Sequence, residues 1–111
     1  MPFPDDENGD VLRRMEASGF DFSVPHDVEF FAVFRTEYEA DVVARQFVAD
    51  RTGGEPITAI ETRPAENGGM ELMVVKSMLV THENVSSFEA RLAERVSRHD
   101  GYMDGWGVLQ E

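Results

Sequence analysis

At 111 residues the chain has room for one hydrophobic core and one domain, and its 22 acidic against 10 basic residues, a formal charge of −12, repel phosphate backbones and disfavour direct binding to RNA or DNA. It contains no cysteine, which excludes disulfides, thiolate metal sites, cysteine nucleophiles and thiol redox chemistry. The opening MPFPDDENGD has neither a basic nor an apolar signal region, and no stretch of about 18 apolar residues occurs, so the expected location is the cytoplasm.

Residues 1–9 are rich in proline and acid and are expected to be loose, leaving a single domain over residues 10–111. GDVLRRMEASGFD reads as a short helix capped by Asp10, with Leu12 and Met15 on one side and Gly19 as its stop. The run 28–34 is apolar on both faces and is expected as a central strand. In TEYEADVVARQFVADRTGG a capping box from Thr36 to Glu39 precedes Ala40, Val43, Ala44, Phe47 and Val48 at helical spacing, with Gly53 beyond. EPITAIETRP, bracketed by Pro56 and Pro64, reads as an edge strand. AENGG then places Asn67 and Gly68 at a hairpin turn in which both central residues take positive φ, and a longer strand starts at Met70. THENVSSFEARLAERVSRHDG is a helix capped by Thr81 or Asn84, with Val85, Phe88, Leu92 and Val96 along one stripe and Gly101 at its end. YMDGWGVLQ is the last strand.

A helix followed by β-α-β-β-α-β predicts an α+β fold of the ferredoxin-like kind. That fold is an antiparallel sheet in the order 4-1-3-2, with two helices on one face, here with a short extra N-terminal helix. Its other face then needs an account. Phe31 and Val33 point opposite to Phe30, Ala32 and Phe34, and Met73 and Val75 opposite to Leu72 and Val74. An apolar patch follows on the open side, either covered by the N-terminal helix through Leu12, Met15 and Phe20 or serving as an interaction site.

Chemistry-bearing patterns are sparse. His26, His82 and His99 have no second ligand at metal-binding spacing and are assigned to capping or surface roles. Acidic pairs such as Asp5-Asp6 and Asp100/Asp104 match no catalytic dyad or EF-hand and read as solvated surface. Neither a framed nucleophile nor a phosphate-binding glycine loop is present, so no catalytic residue, metal or cofactor is expected. Arg91, Arg95 and Arg98 share one side of the last helix, where ion pairs to the chain's own carboxylates account for them. Opposite potentials speed encounter, so an acidic surface of this kind suits a basic partner.

In a regular last strand Tyr102, Asp104, Trp106 and Val108 lie on one face, and Met103, Gly105, Gly107 and Leu109 on the other. Two glycines beside the only tryptophan predict close approach by a neighbour or a bulge, with Trp106 as a packing anchor and Asp104 bonding a nearby turn. The stretch YMDGWGV, ending the chain after an amphipathic helix, resembles the C-terminal signature of the family called regulator of ribonuclease activity B, or ribonuclease E inhibitor B. The upstream GDVLRRMEASGFDFSVPHDVEFFAVF is similar to that family as well. The resemblance implies a ferredoxin-like fold and a non-catalytic protein that binds ribonuclease E outside its catalytic region and so alters RNA turnover. The chain departs from the best-known members in a shorter N-terminal segment and in ending at Glu111 without a long acidic tail. Tyr102, Asp104, Gly105, Trp106 and Gly107 are the residues expected to shape the partner-binding surface. Two rival readings stand beside this one. The first is a dimeric ferredoxin-like domain that encloses a small-molecule pocket or a minor enzyme site. The second is a self-associating domain with no external ligand.

Overall fold

A computed structural model of the chain describes residues 3–109. Met1 and Pro2, in the segment expected to be loose, and Gln110, in the expected last strand, lie with Glu111 outside the described residues. The elements are α1(Glu7–Ala17), β1(Pro25–Phe34), α2(Glu37–Thr52), β2(Ile57–Pro64), β3(Met70–Leu79), α3(His82–Ser97) and β4(Gly101–Val108). The four strands form one antiparallel sheet in the order β2-β3-β1-β4, which counted from the other edge is 4-1-3-2. The architecture is therefore α+β, with β1 and β3 central and β2 and β4 at the edges.

Local chemistry sets the helix starts. Thr36 accepts the Glu39 N–H at 3.3 Å and opens α2, and Thr81, not Asn84, caps α3 by accepting the Asn84 N–H at 3.0 Å. Asp10 does not cap α1. The helix begins a turn earlier because Asp6 accepts the Gly9 N–H at 2.7 Å, and Asp10 instead pairs with Arg13 within the first turns. Two turns also differ from expectation. In the β2–β3 hairpin the Gly68 N–H donates to the Ala65 carbonyl at 3.3 Å, and the positive φ values fall on Gly68 and Gly69 rather than on Asn67. After α3 it is Asp100, with φ 56°, that takes the left-handed position. Gly101 already belongs to β4, where a side chain would strike the Phe34 ring and Val96.

The core follows from β1. Val28, Phe30, Ala32 and Phe34 turn one way and join Leu72, Val74 and Met78 of β3. Onto them pack Ala40, Val43 and Phe47 of α2 and the whole expected stripe of α3, Val85, Phe88, Leu92 and Val96. Each large side chain buried here contributes about 1.5–3 kcal/mol. Leu12 of α1 is fully buried in the same cluster, and α1 packs on α3, so all three helices lie on one side. The alternative in which α1 covers the other face is thereby ruled out.

Ion pairs roof the rim of this core. Phe88 stacks on Phe30 and Phe47 at centroid distances of 4.7 and 5.7 Å, and both Lys76 Nζ and the Arg91 guanidinium sit 4.9 Å from its ring. Glu55 holds the two cations there, accepting from Arg91 at 2.5 and 2.7 Å and meeting Lys76 at 3.1 Å. Arg95 reaches Asp50 at 2.7 Å above Phe47, and Arg98 pairs with Glu94 at 2.6 Å. All three arginines are thus engaged by the chain's own carboxylates, as their spacing predicts. The Arg91 bond, then Lys76, holds the Glu55 carboxyl down from its ordinary 4.5 to about 2. A carboxyl depressed in the folded state stabilises the fold above its ordinary value, and that contribution is lost as pH falls from about 4.5 toward 2. Urea unfolding across that window should show wild-type stability dropping by an extra amount on the order of 2 kcal/mol relative to Glu55→Gln, with partial exposure discounted.

Candidate partner-binding surface

The last strand carries the residues expected to form the site, and its register decides where they go. β4 pairs with β1 as Gly101↔Phe34, Tyr102↔Val33 and Met103↔Ala32, then resumes as Gly105↔Phe31, Trp106↔Phe30 and Gly107↔Glu29. Asp104 is the extra residue of a β-bulge, and Gly105 beside it has φ 113°. One inserted residue reverses the alternation. Met103, Trp106 and Val108 therefore share the helix-covered face and pack on the core, whereas Tyr102, Gly105 and Gly107 share the open one. The regular alternation expected from sequence put Tyr102 with Trp106 and Met103 with the glycines. The bulge overturns both placements.

Trp106 is the anchor expected, with a partner that sequence did not reveal. Its indole N–H donates to Asn8 Oδ1 at 2.8 Å, and the Asn8 amide nitrogen donates to Ser86 Oγ at 3.1 Å and Glu89 Oε1 at 3.0 Å. One asparagine side chain thereby ties α1, α3 and β4 together. Beside it lies a cleft of about 290 Å³ lined by Glu7, Asn8, Asp10, Val11, Arg14, Glu89, Trp106 and the backbone at Gly105, with acids outnumbering the single arginine. No pattern in the sequence marks Asn8, because its partners are 78 to 98 positions away. A second tie lies nearby: His82 Nε2 sits 2.8 Å from Asp6, whose carboxyl is held below its usual value first by the Gly9 N–H and then by His82. His99 bonds Glu39 at 2.7 Å, and His26 bonds the Asp21 carbonyl at 2.8 Å. Among the described residues no group of three potential ligands could hold a metal ion.

Asp104 does not bond a nearby turn. It is exposed at the bulge, and its side chain makes no hydrogen bond among the described residues. The glycines are not explained by close approach either, since a side-chain carbon at Gly105 or Gly107 would meet no atom within 4 Å. Gly105 is required by its backbone angle. Gly107 has no positive φ, so neither its conformation nor its neighbours demand glycine, and an interior strand position normally loses about 0.5–1 kcal/mol by having it.

The open face is built around β1 and β3. Val33 and Val75 are 9% and 2% exposed and lie outside the core cluster, with Phe31 and Met73, half-buried, paired across the two strands. Tyr102, 62% exposed, stands at the β4 side. Charges border this apolar centre: Glu29 of β1 lies between Val75 and Gly107, Glu61 of β2 opposes Met73, and Glu71 is paired with Arg63 at 2.6 Å. Glu29 and Glu61 have no cationic partner among the described residues.

These features define a small acidic α+β domain with three helices on one side of a four-stranded sheet and the other side bare. The chain belongs to the family Regulator of ribonuclease activity B, whose family model matches residues 5–108. No individual curated protein matches it. No helix among the described residues is long and apolar enough to cross a membrane.

Two measurements follow from β4. Asn8→Ala leaves the half-buried indole N–H without its acceptor and should destabilise the protein by about 1–3 kcal/mol. Because Trp106 is the only tryptophan, its fluorescence should shift to the red in the folded variant. Gly105→Ala should destabilise by about 1 kcal/mol or more, and Gly107→Ala should be neutral or stabilising. Equal losses at the two glycines in chemical denaturation would contradict the bulge.

Proposed function

We propose that the chain is a small non-catalytic regulatory protein that binds a protein partner, ribonuclease E or another component of RNA degradation, and modulates RNA turnover by occupancy. The observation that carries this reading is the family match over residues 5–108, nearly the whole described chain. The chemistry of the molecule supports it. Each histidine is engaged in a hydrogen bond within the chain, and the arginine side of α3 is spent on internal ion pairs.

On this reading the protein is one domain, ferredoxin-like in its β-α-β-β-α-β order and taking in the residues before position 10 that cap and anchor α1, and it works in the cytoplasm without cofactor, metal or bound nucleic acid. Tyr102, Asp104, Gly105, Trp106 and Gly107 shape the partner surface in two ways. Trp106, held by Asn8, fixes β4 against the core, and the bulge at Asp104 and Gly105 presents Tyr102 and a glycine strip on the opposite side. An acidic surface of this kind favours a basic partner segment and predicts binding that weakens as salt rises.

Calorimetric titration against ribonuclease E from the protein's own host, divided into catalytic and non-catalytic portions, tests the reading at low and moderate salt. Saturable binding to the non-catalytic portion, weaker at the higher salt, is expected. Absence of heat with both portions at micromolar concentration would sink it.

A further inference from the structure

Resting on the reading of this chain as a protein-binding regulator, we propose that the bare sheet face is the docking surface. Its occupant is an extended basic segment of the partner. That segment sets arginine or lysine against Glu29, Glu61 and Asp27, which shares the face of Glu29 on β1 opposite Ser77, and apolar side chains against Phe31, Met73 and Tyr102.

Three observations converge on this face. Carboxylates are placed where a stable sheet does not ask for them: Glu29 occupies a central strand between Val75 and Gly107, and neither it nor Glu61 has a cation to pair with among the described residues. On the helix side the carboxylates nearest the core are paired instead, Glu55 with Arg91 and Lys76 and Asp50 with Arg95. The open face thus sets two acids that have no ion pair among the described residues beside an apolar centre, the complement of a basic, partly apolar ligand.

Gly107 is the second observation. Its backbone angle and its empty surroundings would accept a β-branched side chain that strengthens the strand, yet the position is bare. Gly105 and Gly107 lie next to Phe31 and Glu29 of β1, so the absence of side chains on β4 leaves both reachable along the strand direction. A strip two residues in period fits an extended chain, whose own side chains alternate with the same period.

The third is what the face excludes. A second copy of the chain would set Asp27, Glu29 and Glu61 against the same acids, an arrangement like-charge repulsion opposes. The molecule's own α1 is occupied on the helix side by Leu12 and Asn8.

The test uses two-dimensional amide NMR of the full chain and a short synthetic peptide with arginine and leucine taking turns at every second position and serine between. A twin peptide has glutamate in place of arginine. The arginine peptide should shift the amides of Glu29, Phe31, Met73 and Gly107, and the glutamate twin should shift none. Gly107→Val should unfold at or above the wild-type temperature while binding the arginine peptide roughly tenfold more weakly. Glu61→Lys, at an exposed edge position, supplies the same comparison if Gly107→Val does not fold. Shifts confined to the helix side, no binding by the wild type, or a dimer in sedimentation that Gly107→Val converts to monomer would each overturn the proposal. The same variants against the non-catalytic portion of ribonuclease E separate the two readings. Equal binding by wild type and variants keeps the regulator and removes this face, whereas no binding by any of them, with the peptide still mapped here, removes the regulator and keeps the face.

Discussion

The two-residue period of β1 is the constraint on which the molecule rests. This strand is hydrogen-bonded on both edges, to β3 and β4, so it cannot slip or turn over without breaking two ladders. Its even-numbered residues, Val28 to Phe34, supply the floor of the core, and α2 and α3 bury their apolar stripes against them. Once those residues face the helices, Glu29, Phe31 and Val33 must face away. The bare side of the sheet is therefore a consequence of how the core is made. Turning Phe31 inward would turn Phe30 and Phe34 out of the core cluster.

Within that frame the bulge in β4 solves a local conflict. The strand must supply a large anchor opposite Phe30, fit the crowded corner where Gly101 meets Phe34 and Val96, and present Tyr102 outward. Regular alternation would put Tyr102 and Trp106 on the same side, since they are four residues apart. Inserting Asp104 moves Tyr102 out and leaves Trp106 in. The indole that results is half-buried, and its N–H needs an acceptor, which α1 provides through Asn8. The first and last elements of the chain are coupled by this bond, and Ser86 and Glu89 of α3 hold the asparagine in place.

Much of this was legible in the sequence because it rests on local or periodic signals. The α3 stripe, the Thr36 cap, the two central strands and the self-pairing of Arg91, Arg95 and Arg98 are all written in spacing and residue type, whereas the choice of Thr81 over Asn84 as the α3 cap is not. The failures share a different cause. Asp10 was the expected cap ahead of Leu12 and Met15, yet Asp6 reaches the Gly9 N–H and starts the helix one turn earlier. The parity of β4 depends on which partner residue each position meets across the ladder, and a single strand does not contain that information. The glycines of the D-G-W-G stretch signalled a bulge correctly, but not that the bulge separates Tyr102 from Trp106. Asn8 was invisible because its three partners belong to elements remote in the chain.

The distribution of charge bears more on recognition than its total. At physiological salt the screening length is about 8 Å, so a docking segment responds to the carboxylates it approaches and little to the remainder of the −12. Glu29 and Glu61 flank the apolar centre and have no ion pair among the described residues, while Glu55, Asp50 and Glu71 are already paired. Between copies of the chain those two acids would face each other, which opposes burial of Phe31, Met73 and Tyr102 by self-association. The same carboxylates that hold like molecules apart are thus attractive to a basic segment, and pairing them with arginine removes the repulsion at the same step that covers the apolar residues. A hydrocarbon in place of Glu29 would make the sheet easier to bury and lose that discrimination, which is the physical reason for a carboxylate in the middle of a central strand.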